Sequence, residues 1–82
     1  LAIEWARYNV AVNAIAPHYL ETELTQGLRD SETIYNGLIK NIPFRRFGKV
    51  SEIVGPVLFL SSEAASYMTG STVLVDGGYL AQ

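Results

Sequence analysis

Two short apolar runs limit what this chain can become: Val10–Ala16, reading V-A-V-N-A-I-A, and Ser71–Val75, reading S-T-V-L-V. The first is β-branched or apolar at nearly every position instead of alternating, the pattern of a strand covered on both faces and so of a central strand in a parallel sheet. Pro17 follows it and, having no N–H to donate, stops its ladder. The second run is a short apolar strand introduced by Thr69 and Gly70. Parallel neighbours cannot be joined by a hairpin and need a crossover, which the long helical stretch between the two runs supplies. The chain is therefore expected to be α/β.

The segments around these runs read as follows. Leu1, Trp5 and Tyr8 form one helical stripe that Asn9 is suited to end. His18 to Asp30 is polar and mixed, a loop with short helical pieces around Glu23 to Leu28. Ser31 is expected to cap a helix over Glu32–Lys40, whose Ile34, Tyr35, Leu38 and Ile39 share a stripe. Phe44–Val50 reads as a connector, and Ser51 as the cap of a helix over Glu52–Ser61. Pro56 sits just past the first turn of that helix and predicts a local irregularity. A short helical turn over Glu63–Tyr67 comes next, and Asp76-Gly77-Gly78 turns the chain after the second strand. No internal repeat, low-complexity tract or composition shift marks a boundary.

With 82 residues the chain is one small domain or part of one. Its apolar fraction of 49% against 17% charged residues is rich for so short a chain and implies faces meant for neighbours. The first helix opens without a capping residue, so an upstream turn is expected to precede Leu1. By itself the 82-residue peptide is expected to aggregate or be partly unfolded, because two strands without neighbours expose edges and faces. A net charge of −2 with scattered basic residues speaks against nucleic acid and against anionic membranes as partners. The longest strongly apolar stretch, around Val54–Leu60, is far below the roughly 18 residues of a membrane span. The absence of cysteine fits a reducing compartment and the cytoplasm.

In open parallel sheets ligands sit beyond the carboxyl ends of strands, which directs attention to Pro17-His18-Tyr19-Leu20-Glu21-Thr22. Pro17 offers a rigid apolar wall, the loop offers backbone amides, and the Thr22 hydroxyl can donate and accept. Glu21 and Glu23 lack a metal-ligand pattern and read as solvated charge, and no metal site is expected. Arg45 and Arg46 read as surface ion pairing more readily than as a phosphate site. Trp5, Tyr8, Phe44, Phe47 and Phe59 read as core or interface.

Four blocks, Val12–Thr22 (V-N-A-I-A-P-H-Y-L-E-T), Arg46–Gly48 (R-F-G), Phe59–Gly70 (F-L-S-S-E-A-A-S-Y-M-T-G) and Val75–Tyr79 (V-D-G-G-Y), resemble in order the C-terminal third of the short-chain dehydrogenase/reductase family. Within that family the wording most resembles sugar-acid (gluconate-type) dehydrogenases and acyl-carrier ketoreductases. The resemblance implies the C-terminal part of a Rossmann-type doubly wound parallel sheet, with residues 1–82 a fragment of a single dinucleotide-binding domain. It implies NAD or NADP as cofactor and a small carbonyl or alcohol substrate. Pro17 would pack beside the nicotinamide, the Leu20 amide would meet its carboxamide, and Thr22 would hydrogen-bond the carboxamide or pyrophosphate. His18 stands where the family usually has Gly and joins this cofactor-side group. As a substrate contact or proton donor it would need an acidic orienter, which its motif lacks.

The resemblance also makes Thr22–Phe47 a region that closes over substrate, with Tyr19, Leu24, Leu28 and Tyr35 on the substrate side. The tail from Val75 and the helix from Glu52 would form subunit contacts in a homotetramer. No catalytic residue is expected here: no tyrosine has lysine four residues on, and Tyr35 with Lys40 is spaced by five. The family's Tyr-x-x-x-Lys pair and its glycine-rich loop are expected upstream of Leu1, and the 82 residues alone are expected to be inactive. The competing expectation is a non-enzymatic interaction or oligomerisation fragment.

Overall fold

The computed structural model describes residues 1–82. Strands β1 (Ala14–Pro17) and β4 (Thr72–Val75) lie side by side in parallel, with Ala14 opposite Thr72 and Pro17 opposite Val75. Between them run α2 (Gln26–Asp30), α3 (Glu32–Ile39) and α4 (Ser51–Leu60), and α1 (Ala2–Ala6) precedes β1. The crossover expected from the two apolar runs is therefore present, and the chain is α/β. A second parallel pair joins β2 (Leu20–Glu21) to β3 (Gly48–Lys49), with Leu20 opposite Gly48.

Strand β1 is shorter than the apolar run that announces it. Val10–Asn13 stay outside the ladder because their polar groups are taken by the loop before β4. Val12 N donates to Thr69 Oγ1 at 3.1 Å, Gly70 N to Val12 O at 2.8 Å, and the Asn13 side chain spans Met68 O and Ser71 N at 3.1 and 3.0 Å. Pro17 closes β1 instead of following it, since the His18 N–H makes the next bond, to Val75 O at 3.3 Å. The face coverage expected of a central strand is incomplete within these residues: Ala14 and Pro17 are exposed and Ile15 and Ala16 half-buried.

Local chemistry explains the helix ends. Helix α1 closes with Asn9 at φ 61°, and Asn9 N and Val10 N donate back to Ala6 O and Trp5 O, the paired bonds of a Schellman ending. Ser31 caps α3, its hydroxyl accepting from Ile34 N at 3.4 Å. Helix α4 starts one residue earlier than expected and Ser51 makes no capping bond. Glu52 takes that role, accepting from Lys49 N at 2.9 Å. The irregularity expected at Pro56 is absent, and α4 runs unbroken through it. The missing N–H there deprives only the Glu52 carbonyl of its helical donor. The expected turn after α4 is a 3-10 turn over Glu63–Ala65, capped by the Ser62 hydroxyl.

Only Ile42, Phe47 and Ala65 are buried, while large apolar side chains including Leu1, Ile3, Trp5, Leu58 and Tyr67 are exposed. The radius of gyration is 15.8 Å, against about 12 Å for a compact chain of this length. The high apolar fraction is thus spent on surface that this chain does not cover. No helix is long and apolar enough to cross a membrane.

Candidate functional site

Both β1 and β4 deliver their carboxyl ends to one place. A half-open cleft of about 360 Å³ lies there, lined by His18, Tyr19 and Leu20 after β1, by Leu74 to Gly78 at the end of β4, and by the Ile42–Gly48 connector with Glu52. The Asp76-Gly77-Gly78 turn forms one wall. Gly77 and Gly78 sit at φ 62° and 93°, and a Cβ on Gly77 would come within 2.9 Å of Ile42 Cγ2. Glycine here lets the connector close against the strand end, where Phe44 N donates to Gly77 O at 3.1 Å.

The opposite wall is held by stacked rings. His18 stacks on Tyr79 at 4.0 Å between centroids and is tilted against Tyr19 at 4.6 Å. Tyr19 stacks on Phe47 at 4.8 Å, and Phe47 on Tyr35 at 4.9 Å. Phe47, 2% exposed, is the fixed end of this column. The expectation that Phe47 is core is met. Phe44, read as core or interface, is largely exposed and lines the cleft.

Below the cleft the loop is clamped by residues that sequence reasoning passed over. Gly48 N donates to Tyr19 O at 2.9 Å, so in the parallel β2–β3 ladder Leu20 turns its own N–H and C=O away from β3. The Leu20 carbonyl accepts from Thr25 Oγ1 at 2.6 Å. Thr25 Oγ1 in turn accepts from Thr22 N at 3.0 Å, and Arg29 Nη2 donates to Thr22 O at 2.8 Å. Arg29 also approaches the Glu21 carboxylate at 4.0 Å. Every carbonyl of the Leu20–Thr22 turn that faces α2 is thereby tied down, while the Leu20 N–H and the Thr22 hydroxyl remain without an intrachain partner. A Thr and an Arg spaced by four residues at the start of a helix are the only sequence sign of this clamp, and the polar loop around them conceals it.

The predicted residues do not all converge. His18, Tyr19 and Leu20 line the cleft; Pro17, exposed at the end of β1, and Thr22 lie just outside it. Leu24 is 96% exposed on the 3-10 turn Glu23–Thr25, and Leu28 is half-buried on α2. Tyr35 stands behind Phe47, its hydroxyl accepting from Phe47 N at 3.4 Å. Tyr35 therefore supports the ring column and does not reach the cleft.

Arg46 forms a two-pronged pair with Glu52, Nη1 to Oε1 at 2.7 Å and Nη2 to Oε2 at 2.9 Å, and Nη1 also donates to Phe47 O at 3.1 Å. The bond from Arg46, helped by the Lys49 N–H, holds the Glu52 carboxyl down to about 2. The same bond raises the Arg46 guanidinium above its ordinary value. With its donors so occupied, Arg46 is an ion-pairing residue, as its sequence context suggested, and Arg45 donates to Lys40 O at 2.6 Å. No three His, Asp or Glu side chains are grouped to hold a metal ion.

A family model described as enoyl-(acyl carrier protein) reductase matches residues 1–80. The chain belongs to the short-chain dehydrogenase/reductase family. Among short-chain dehydrogenases/reductases it is 46% identical, over all 82 residues, to 2-dehydro-3-deoxy-D-gluconate 5-dehydrogenase of Escherichia coli (strain K12), covering 32% of that protein. It superimposes with a TM-score of 0.91 on gluconate 5-dehydrogenase from Burkholderia cenocepacia J2315 in complex with NADP and tartrate, at 40% identity, over 99% of this chain and 32% of that one. A 4-hydroxyisoleucine dehydrogenase complexed with NADH gives a TM-score of 0.94 at 31% identity, over 99% of this chain and 33% of that one. The chain spans about a third of the length of the relatives it matches. The β1–β4 pair is accordingly part of a Rossmann-type doubly wound parallel sheet.

Proposed function

We propose that residues 1–82 are the C-terminal portion of a single dinucleotide-binding domain in an NAD(P)-dependent oxidoreductase that interconverts a small alcohol and ketone. The observation that carries this reading is the Leu20–Thr22 turn. At the carboxyl end of a parallel strand, its carbonyls are clamped by Thr25 and Arg29 while one amide and one hydroxyl stay free. Free donors on a clamped turn suit the carboxamide of a nicotinamide, and Pro17, at the end of the strand that leads into the turn, suits the face of its ring. Pro17, His18, Leu20 and Thr22 are thus the cofactor-side group, and Tyr19 the substrate-side residue nearest the cleft. Leu24 and Leu28 join it only if α2 and the 3-10 turn before it move over the substrate. Tyr35 acts through Phe47.

When bound, the dinucleotide supplies or accepts the hydride. The chain's own residues would bind and orient it: Pro17 would limit ring position, and the Leu20 N–H and Thr22 hydroxyl would fix its rotation. Proton transfer falls to residues outside these 82, so the chain alone is inactive. The two gluconate-type relatives named above favour a sugar-acid substrate, and NAD and NADP are both candidates. We place the protein in the cytoplasm as a homotetramer, in keeping with its lack of cysteine and its exposed apolar faces.

The test is a titration of the protein that carries this chain with NADH and NADPH, followed by nicotinamide fluorescence, against a Thr22→Val variant. One lost hydrogen bond of about 1 kcal/mol weakens binding roughly fivefold. An unchanged dissociation constant for Thr22→Val would overturn the assignment. A protein that binds neither dinucleotide would favour the non-enzymatic oligomerisation reading.

A further inference from the structure

His18 occupies a loop position two residues before Leu20, and its ring nitrogens make no hydrogen bond. Of the two carboxylates on the cleft wall, Asp76 is spent on the turn after β4, its two oxygens accepting from Gly78 N at 3.0 Å and Leu80 N at 3.1 Å. The other charged groups on the cleft, Arg46 and Glu52, are paired with each other. An imidazole with no orienting partner is poorly placed for proton transfer. Its contacts are with rings instead: Tyr79 at 4.0 Å on one side and Tyr19 at 4.6 Å on the other.

Tyr79 begins the 3-10 turn Tyr79–Ala81, which is itself anchored at both ends. Tyr79 N donates to Asp76 O at 3.1 Å, and the Gln82 side chain donates to Asn41 O. The ring column therefore runs without a gap from a fastened C-terminal turn, through His18 and Tyr19, to buried Phe47. Glycine at position 18 would remove the only ring that joins the turn to this column.

We propose that His18 is a positioning residue: by stacking on Tyr79 it ties the loop after β1 to the last residues of the chain, so that the C-terminal turn sets the geometry of the Leu20 amide and Thr22 hydroxyl. The dinucleotide consequence rests on the function proposed above; the mechanical link does not. A stacked aromatic pair contributes enough to shift an equilibrium roughly 3- to 10-fold.

The experiment compares the protein that carries this chain with His18→Gly, His18→Phe, Tyr79→Leu, Tyr79→Phe and the His18→Gly/Tyr79→Leu double variant. Hydrogen exchange is read over Tyr19–Thr22 and dinucleotide affinity by fluorescence. The expected result is faster exchange in that segment, and roughly 3- to 10-fold weaker dinucleotide binding, for His18→Gly and for Tyr79→Leu. The double variant should be no worse than either, and both Phe variants should keep the parental exchange over Tyr19–Thr22. Tyr79→Leu with parental exchange over Tyr19–Thr22 overturns the proposal, as does failure of His18→Phe to restore it. If the parent binds no dinucleotide, the functional reading fails while the exchange measurement still decides the link.

Discussion

Replacing Phe47 by Ala removes the one fully enclosed side chain on which the cleft wall rests. At 2% exposure its ring is taken wholly out of water, which stabilises by about 1.5–3 kcal/mol. It also forms two stacked pairs, with Tyr19 at 4.8 Å and Tyr35 at 4.9 Å, each contributing about 0.5–1.5 kcal/mol beyond area. Truncation leaves both partners facing a void that neither can fill, because Tyr35 is seated on α3 and Tyr19 precedes β2. A loss of about 3–5 kcal/mol is expected, at the level usual for Phe→Ala in a core. Phe47→Leu keeps most of the volume and loses the stacking, and should cost clearly less. Equilibrium urea unfolding of the protein that carries this chain measures both. A loss below about 1 kcal/mol for Phe47→Ala, or equal losses for Ala and Leu, would refute the view that this ring is the anchor of the column.

Two further outcomes follow from side chains that bridge elements. Asn13→Ala strips the partner from Met68 O and Ser71 N, which flank the entry to β4, and should destabilise by about 1–3 kcal/mol in the same unfolding assay; no measurable change would show that water replaces the amide. Glu52 titrates at about 2 in the folded chain against an ordinary 4.5, so its contribution is fully present above pH 4.5 and is lost as pH falls toward 2. Acid unfolding should therefore steepen across that window in the parent and less so in Glu52→Gln. The difference should shrink in high salt because the pair is some 41–45% exposed, and identical slopes would remove the ion pair from the account.

Much of the architecture was legible because it depends on local chemistry. The largely apolar, non-alternating character of Val10–Ala16 and the short run Ser71–Val75 announced two parallel neighbours, Ser31 announced the start of α3, and Asn9 the end of α1. Local reasoning went wrong where a distant group competes for the same backbone. Residues 10–13 have strand character, yet Thr69 and Asn13 divert them from the ladder. Ser51 has the chemistry of a cap, yet Glu52 is already drawn to that spot by Arg46 and accepts the Lys49 N–H instead.

The candidate site divides in the same way. Composition, the place of Pro17 at a strand end and the order of four short blocks were enough to point to the loop Pro17–Thr22 and to the family, since both are carried by residue identity along the chain. That Tyr35 props Phe47, that Thr25 and Arg29 clamp the loop, and that His18 rests on Tyr79 were decided only in three dimensions. These contacts join residues with no periodic or compositional relation, up to 61 positions apart in the case of His18 and Tyr79. Their partners are chosen by how the β1–β4 and β2–β3 pairs bring strand ends together, and that is a property of the folded chain.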